Sequence, residues 1–246
     1  QGANTVAVGV GAGEQSQGDN SVAIGSLAGS GDQGTNSVAI GESCGKTSQG
    51  NSSVAIGFDA AANAQETESV AIGHAAGSAD QANNAVAIGY ATAQNSQGAG
   101  AVAIGSASGR NVQSADAVAV GNSAGENQQG NSAVAIGNLA GCGDQAANSV
   151  AVGVSAGKTA QEGSSAIGYH AGLNVQGANS VAIGKMAGSA DQGANSVAIG
   201  ESCGKTAQGN ACVAIGDEAG LNQQGAQGIA IGNVAGSADQ GTQSVA

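Results

Sequence analysis

The stretch NSVAIG at residues 36–41 decides the fold, because close copies of it recur along the whole chain. Its Val-Ala-Ile core alternates with period two, as in a half-buried β-strand, and the frequent Gly disfavours a helix. The step between copies is 16 residues, except for one missing residue within 161–164. The repeats start near Val6, Val22, Val38, Val54, Val70, Val86, Val102, Val118, Val134, Val150, Ser165, Val181, Val197, Val213, Ile229 and Val245.

Each repeat is numbered here from position 0, the first residue of its Val-Ala-Ile core. Position +1 is always Ala, position +3 is Gly in every complete repeat, position +6 is small, and position +7 is almost always Gly. Sixteen residues are too few for a helical hairpin but suit a coil of two short strands and two turns. We therefore predict an all-β fold: a parallel β-solenoid or β-roll of about sixteen 16-residue coils, forming one repeat domain over residues 1–246. The coils would stack about 4.8 Å apart into a rod.

The fixed positions predict the layout of a coil. We expect the Val and Ile side chains to form the apolar interior, with the small residue at +6 facing them, and Gly or Asn at the corners. Position +11 is Gln in every complete repeat, and stacked Gln side chains can form a ladder of amide hydrogen bonds. The predicted ladder comprises Gln17, Gln33, Gln49, Gln65, Gln81, Gln97, Gln113, Gln129, Gln145, Gln161, Gln176, Gln192, Gln208, Gln224 and Gln240.

The invariant Ala at +1 predicts a surface for self-association. A solvent-facing strand position would be expected to vary, and here it does not, which indicates close approach by another backbone. We expect a homotrimer whose interface includes Ala39, Ala71, Ala103, Ala135, Ala182 and Ala214. The alternative is that these Ala side chains point inward within a single chain.

Composition excludes several classes of protein. The chain has 45 Gly, no Pro and no Trp, and its net charge of −12 disfavours binding to nucleic acid or anionic lipid. No apolar run is long enough to span a membrane. The four Cys residues do not form a disulfide pattern and are expected to be small core residues. Because the chain begins and ends within a repeat, we expect it to be a fragment or a processed product.

Three short motifs that suggest catalysis are explained by the repeat. Residues 41–45 match the G-x-S-x-G pattern of a nucleophile elbow, residues 43–46 match S-x-x-K, and residues 41–47 approach a phosphate-binding loop. Each of these motifs requires a following helix or partner residues that the chain does not offer. We expect no enzymatic activity, no cofactor and no metal site.

The motif NSVAIG, at residues 20–25, 36–41, 179–184 and 195–200 and as NSVAVG at residues 148–153, resembles the head repeat of YadA-type trimeric autotransporter adhesins. This resemblance implies a left-handed parallel β-roll, a trimeric head and binding to host matrix. The family's commonest repeat is nearer 14 residues, so the regular 16 here departs from it. Repeats of this longer kind also resemble those of phage and large-virus tail and surface fibres.

These features favour a structural role outside the cell. We expect an adhesin head or a fibre shaft on a cell or virion surface, attaching through many weak contacts to host matrix or glycan. The alternative is an ice-binding or carbohydrate-binding solenoid with a flat repetitive face. Because an uncapped solenoid exposes strand edges, the rods could also join end to end into a filament.

Overall fold

The protein is an all-β parallel β-solenoid of about 14 turns. The computed structural model describes residues 1–246, which contain 29 short strands and no helix. Long strands of three residues alternate with short strands of two residues, so the prediction of two strands per coil is confirmed. The chain forms two compact units, Gln1–Asn127 and Gln128–Ala246.

Unit 1 contains eight long strands and seven short ones. The long strands are β1 (Val6–Val8), β3 (Val22–Ile24), β5 (Val38–Ile40), β7 (Val54–Ile56), β9 (Val70–Ile72), β11 (Val86–Ile88), β13 (Val102–Ile104) and β15 (Val118–Val120). The short strands are β2 (Ser16–Gln17), β4 (Asp32–Gln33), β6 (Ser48–Gln49), β8 (Ala64–Gln65), β10 (Asp80–Gln81), β12 (Ser96–Gln97) and β14 (Val112–Gln113).

Unit 2 contains seven strands of each kind. The long strands are β17 (Val134–Ile136), β19 (Val150–Val152), β21 (Ser165–Ile167), β23 (Val181–Ile183), β25 (Val197–Ile199), β27 (Val213–Ile215) and β29 (Ile229–Ile231). The short strands are β16 (Gln128–Gln129), β18 (Asp144–Gln145), β20 (Ala160–Gln161), β22 (Val175–Gln176), β24 (Asp191–Gln192), β26 (Ala207–Gln208) and β28 (Gln223–Gln224).

Within each unit, every strand pairs in parallel with its counterpart one repeat away. Val22 lies beside Val38, Ala23 beside Ala39 and Ile24 beside Ile40, and this register holds from coil to coil. The one-residue deletion leaves the register intact: Val150 lies beside Ser165, and Gln161 beside Gln176. The turn before β21 absorbs the missing residue, as the sequence predicts.

The turns depend on left-handed backbone at fixed positions. Asn at +14 has a positive φ, as at Asn20 (56°), which confirms its predicted place in a turn. Gly is required most strictly at +3, because a Cβ added to Gly41 would lie 2.5 Å from the carbonyl oxygen of Gly57 in the next coil. At +7 the constraint is milder: a Cβ on Gly45 would lie 3.0 Å from Gln49 Oε1, and two coils carry Ala instead, at Ala61 and Ala93.

The interior of the coil is narrow and is lined by small side chains and Gln. The side chains at +1, +6 and +15 are mostly Ala, Ser or Cys and are largely buried, and the largest fully buried side chains are glutamines. Ser hydroxyls at +15 bond locally, as in Ser69 Oγ to the carbonyl oxygen of Glu66 at 2.6 Å. The prediction that Val and Ile fill the interior is therefore wrong, because the space between the two sheets admits only small groups and one extended amide.

Candidate interaction surface

The Val and Ile side chains of the long strands form an exposed apolar surface. In the long strands from β3 to β27 the central Ala is buried, whereas the first residue is half-buried and the third is half-buried or exposed. We call this surface the Val/Ile face. In unit 1 it comprises Val22, Ile24, Val38, Ile40, Val54, Ile56, Val70, Ile72, Val86, Ile88, Val102, Ile104, Val118 and Val120. In unit 2 it comprises Val134, Ile136, Val150, Val152, Ile167, Val181, Ile183, Val197, Ile199, Val213, Ile215, Ile229 and Ile231.

The Val/Ile face is flat, stiff and uncharged. In-register pairing places Val beside Val and Ile beside Ile in successive coils, and β-branched side chains have few rotamers. The seven long strands that carry the face in unit 1 span six intervals of about 4.8 Å, and a strip about 10 Å wide over that length covers roughly 300 Å². That area lies at the lower end of the range of about 300–600 Å² for the largest apolar patch of a typical monomer, and because such patches are often functional, the face is a candidate for an interaction site.

The six Ala residues predicted to form the self-association face do not lie on the surface. Ala39, Ala71, Ala103, Ala135, Ala182 and Ala214 have no exposed surface even in the single chain, so they cannot contact a partner. The alternative, that Ala points inward, is the one found. The position is invariant because it faces the narrow interior, where any larger side chain would collide with the opposite strand.

The predicted Gln ladder is confirmed over part of its length. In unit 1 an unbroken series of side-chain amide bonds of 3.1–3.2 Å runs from Gln33 to Gln113. In unit 2 such bonds join Gln145 to Gln161, Gln161 to Gln176 and Gln208 to Gln224. The buried Oε1 atoms of Gln17, Gln33, Gln145, Gln192, Gln208 and Gln240 accept no hydrogen bond.

Each Gln also has a second role that the sequence did not reveal. Its Nε2 donates to the carbonyl oxygen of position 0 in its own coil, as Gln33 does to Val22 at 2.8 Å and Gln192 to Val181 at 2.8 Å. The amide thus joins the short strand to the long strand across the interior.

The side chains at +4 form one border of the Val/Ile face. In three consecutive coils of unit 1 they are aromatic rings: Phe58, His74 and Tyr90 stack with centroids 5.1 Å apart. We call these residues the ring ladder. The isoleucines in the same coils, Ile56 and Ile72 among them, are half-buried, whereas Ile104 in the next coil is exposed. The rings therefore widen the apolar surface locally. The 16-residue spacing of Phe58, His74 and Tyr90 is the signal in the sequence that could have predicted this stack.

The side chains at +14 form the opposite border, and most of them are polar. Most are Asn or Ser, and Glu68 stands just before β9. Since +14 lies two residues before Val and +4 lies two residues after Ile, Glu68 and His74 flank the same strand. The +4 border of unit 2 differs in kind, because it holds the ion pair between Lys185 Nζ and Glu201 Oε1 at 2.7 Å.

The motif at residues 41–45 lies in a setting unlike that of a nucleophile elbow. Ser43 has a φ of 55° in a turn that leads to the short strand β6, not to a helix. Cys44 beside it is buried, and its burial raises the pKa of the thiol to about 12. No group of three or more His, Cys, Asp or Glu side chains is placed to hold a metal ion. A shallow surface groove of about 490 Å³ lies over the short strands of unit 2.

The chain matches no protein-family model, no curated protein and no solved structure. The resemblance to adhesin and fibre repeats accordingly rests on the repeat motif alone. None of the secondary structure is a helix long and apolar enough to cross a membrane.

Proposed function

We propose that this chain is a structural segment of an extracellular adhesin head or fibre, and that it assembles with copies of itself into a homotrimer through the Val/Ile face. The assembly would stand on a cell or virion surface and attach by many weak contacts to host matrix or glycan. No catalysis is part of this role. The observation that carries the proposal is the exposed, in-register ladder of Val and Ile in each unit.

Another copy of this chain is the partner that best fits the face. The apolar ridges recur once per coil, about 4.8 Å apart, and a partner must present the same spacing to pack against many coils at once. A second β-solenoid of the same repeat has that spacing throughout. Neither column of the face carries a charge, so identical copies can meet without repulsion.

The size of the face indicates how the copies must pack. A standard interface buries about 800 Å² per partner, above the roughly 600 Å² that the strips of the two units supply together. The two borders at +4 and +14 must therefore join the contact. A three-fold arrangement meets this need, because each chain then uses its face towards the axis and each border against a different neighbour.

Light scattering coupled to size exclusion tests the proposal, with two Val→Lys variants as a matched pair. Val102 lies on the Val/Ile face, and Val112 is exposed on the outer side of the short strand β14. We expect a trimer mass for the wild type and for Val112→Lys, and a lower mass for Val102→Lys, because a Lys on the face adds three charges around the axis. Circular dichroism would verify that both variants fold.

The other outcomes are equally informative. A monomeric wild type would contradict the proposal and leave a lone solenoid that presents a flat face to glycan or ice. A large polydisperse mass would indicate end-to-end filament growth. An unchanged trimer with Val102→Lys would place the interface elsewhere.

A further inference from the structure

The Val/Ile face by itself does not define how copies align along their length. Its contacts repeat every coil, so sliding one copy by about 4.8 Å would bring Val and Ile against nearly the same neighbours. A repetitive β surface of this kind has a weakly specified register. A defined assembly therefore needs residues that distinguish one coil from the next.

Such residues occur together at the middle of unit 1. The ring ladder lies on the +4 border. Glu68 and Asp116 are the two carboxylates on the +14 border of the whole chain, and of these only Glu68 flanks the same strand as a ring. His74 follows β9 and Glu68 precedes it, so the two side chains flank the same strand at the same level of the stack. The side chains of Glu68 and His74 are both exposed, and neither has a hydrogen bond or an ion pair within the chain. The His74 ring stacks on its two neighbours in the ring ladder.

Parallel packing brings these two borders together. In a cyclic assembly whose axis runs along the stack and whose Val/Ile faces point towards that axis, each copy is rotated about the axis, and its +4 border faces the +14 border of the next copy. The separation along β9 keeps the pair apart within one chain: six residues of extended chain span about 20 Å. An encounter between His74 and Glu68 therefore takes place between chains.

We propose that His74 of one copy pairs with Glu68 of its neighbour, and that this pair with the ring ladder sets the register of the assembly. This inference rests on the proposed self-association. In register, the imidazole of His74 contacts the carboxylate of Glu68 in the neighbouring copy. One coil further along, Tyr90, which follows β11, contacts the side-chain amide of the neighbour's Asn84, which precedes β11. A shift of one coil instead places Glu68 against Phe58 or Tyr90, which buries a carboxylate against an aromatic ring without a partner. The mismatch disfavours the shifted assemblies.

Disulfide trapping tests the register at single-coil resolution. The background replaces the native cysteines by Ala, which other coils carry at the same positions for Cys44, Cys203 and Cys212. The test variant then carries Glu68→Cys with His74→Cys. Disulfide formation needs Cα atoms within about 7 Å, so the pair cannot close within one chain and must link neighbours. We expect covalent trimers on non-reducing gels after mild oxidation.

Two shifted pairs serve as matched controls: Glu68→Cys with Phe58→Cys, and Glu68→Cys with Tyr90→Cys. Each demands a one-coil displacement, and we expect at least a ten-fold slower cross-linking rate than for the 68/74 pair. Each single-cysteine variant should remain uncrosslinked, and a 74–74 link would reveal antiparallel packing and overturn the inference.

The failure of this inference is distinguishable from failure of the proposed function. Equal rates for all three pairs in a preparation of trimer mass would mean that the copies slide freely, and the register role would be wrong while self-association stands. A trimer that forms no 68–74 link would also overturn the pairing. A monomer mass before oxidation would contradict the proposed assembly itself.

Discussion

The two units share one repeat but differ in how completely their interiors are hydrogen-bonded. In unit 1 the amide ladder runs without a break from Gln33 to Gln113. In unit 2 it occurs in short pieces, and five buried side-chain atoms have no partner: Oε1 of Gln145, Gln192, Gln208 and Gln240, and Oγ of Ser164. Unit 1 has two such atoms, on Gln17 and Gln33. An identical sequence position thus does not guarantee an identical bond.

The comparison shows what a repeat does and does not enforce. The bond from Gln Nε2 to the carbonyl oxygen of position 0 recurs in both units, because donor and acceptor belong to one coil. The bond from Gln to Gln joins two coils and depends on small differences in their stacking. A buried polar atom without a partner costs about 1–3 kcal/mol, so we expect unit 1 to be the more stable of the two.

The largest expected effect comes from placing a charge inside either unit. Ala71→Lys in unit 1 and Ala198→Lys in unit 2 each bury a cation where no exposed surface exists, and we expect each to cost at least about 4 kcal/mol. Because repeat proteins are stabilised by contacts between neighbouring coils, hydrogen-exchange protection should be lost around the substituted coil.

Val70→Lys and Val197→Lys are the matched controls, one residue before each buried Ala. Their side chains lie on the Val/Ile face, so we expect protection to persist within the chain while assembly weakens. If the Val variants lost protection and the Ala variants kept it, the inside and outside of the coil would be reversed.

Which side chains of a long strand point into the coil is also the feature that the sequence did not predict. The 16-residue period, the strands, the corners at Gly41 and Asn36 and the column of Gln all followed from residue types at fixed spacing. Period-two alternation identifies two faces of a strand but not which one points inward. In globular proteins the larger apolar side chains fill the interior, whereas in this solenoid the width of the coil determines which side chains fit inside.

A cue to the correct orientation was present in the sequence. The residues at +1, +6 and +15 are all small, and three small columns around one long Gln describe a cavity too narrow for Val and Ile. The proposed pairing of Glu68 with His74 across copies could not be found in this way, because it depends on Val and Ile facing outwards, and the sequence reading placed them inside.

Substitutions in the amide ladder are expected to have an intermediate effect on stability, and they test the difference between the two units. Gln81 in unit 1 donates to Val70 and Gln97 and accepts from Gln65, whereas Gln192 in unit 2 has no ladder bond on either side. We expect Gln81→Leu to destabilise by about 3 kcal/mol and Gln192→Leu by about 1–2 kcal/mol, because the second change also removes an unpartnered oxygen.

Urea unfolding with hydrogen exchange at single-coil resolution measures both costs. Each variant is the other's control, since the side chain, the burial and the bond to position 0 are the same. Equal destabilisation would mean that the ladder bonds add nothing beyond the bond to the long strand, and the expected difference in stability between the units would lose its basis.

The smallest effect concerns a feature that the two units share. Cys44 in unit 1 and Cys203 in unit 2 occupy position +6, and burial raises the pKa of each thiol from 9.0 to about 12. Above pH 9 the unfolded chain releases these protons and the folded chain retains them, so stability falls as the pH rises from 9 towards 12. Cys44→Ala and Cys203→Ala introduce the residue that most coils carry at this position, and each should reduce the loss of stability at alkaline pH.

Urea unfolding midpoints measured between pH 8 and pH 10.5 would test this expected reduction. An equal gain from both substitutions would show that the interiors are equally narrow at +6, so that the difference between the units lies in the amide ladder; a slope unaffected by either substitution would contradict the burial of the thiols.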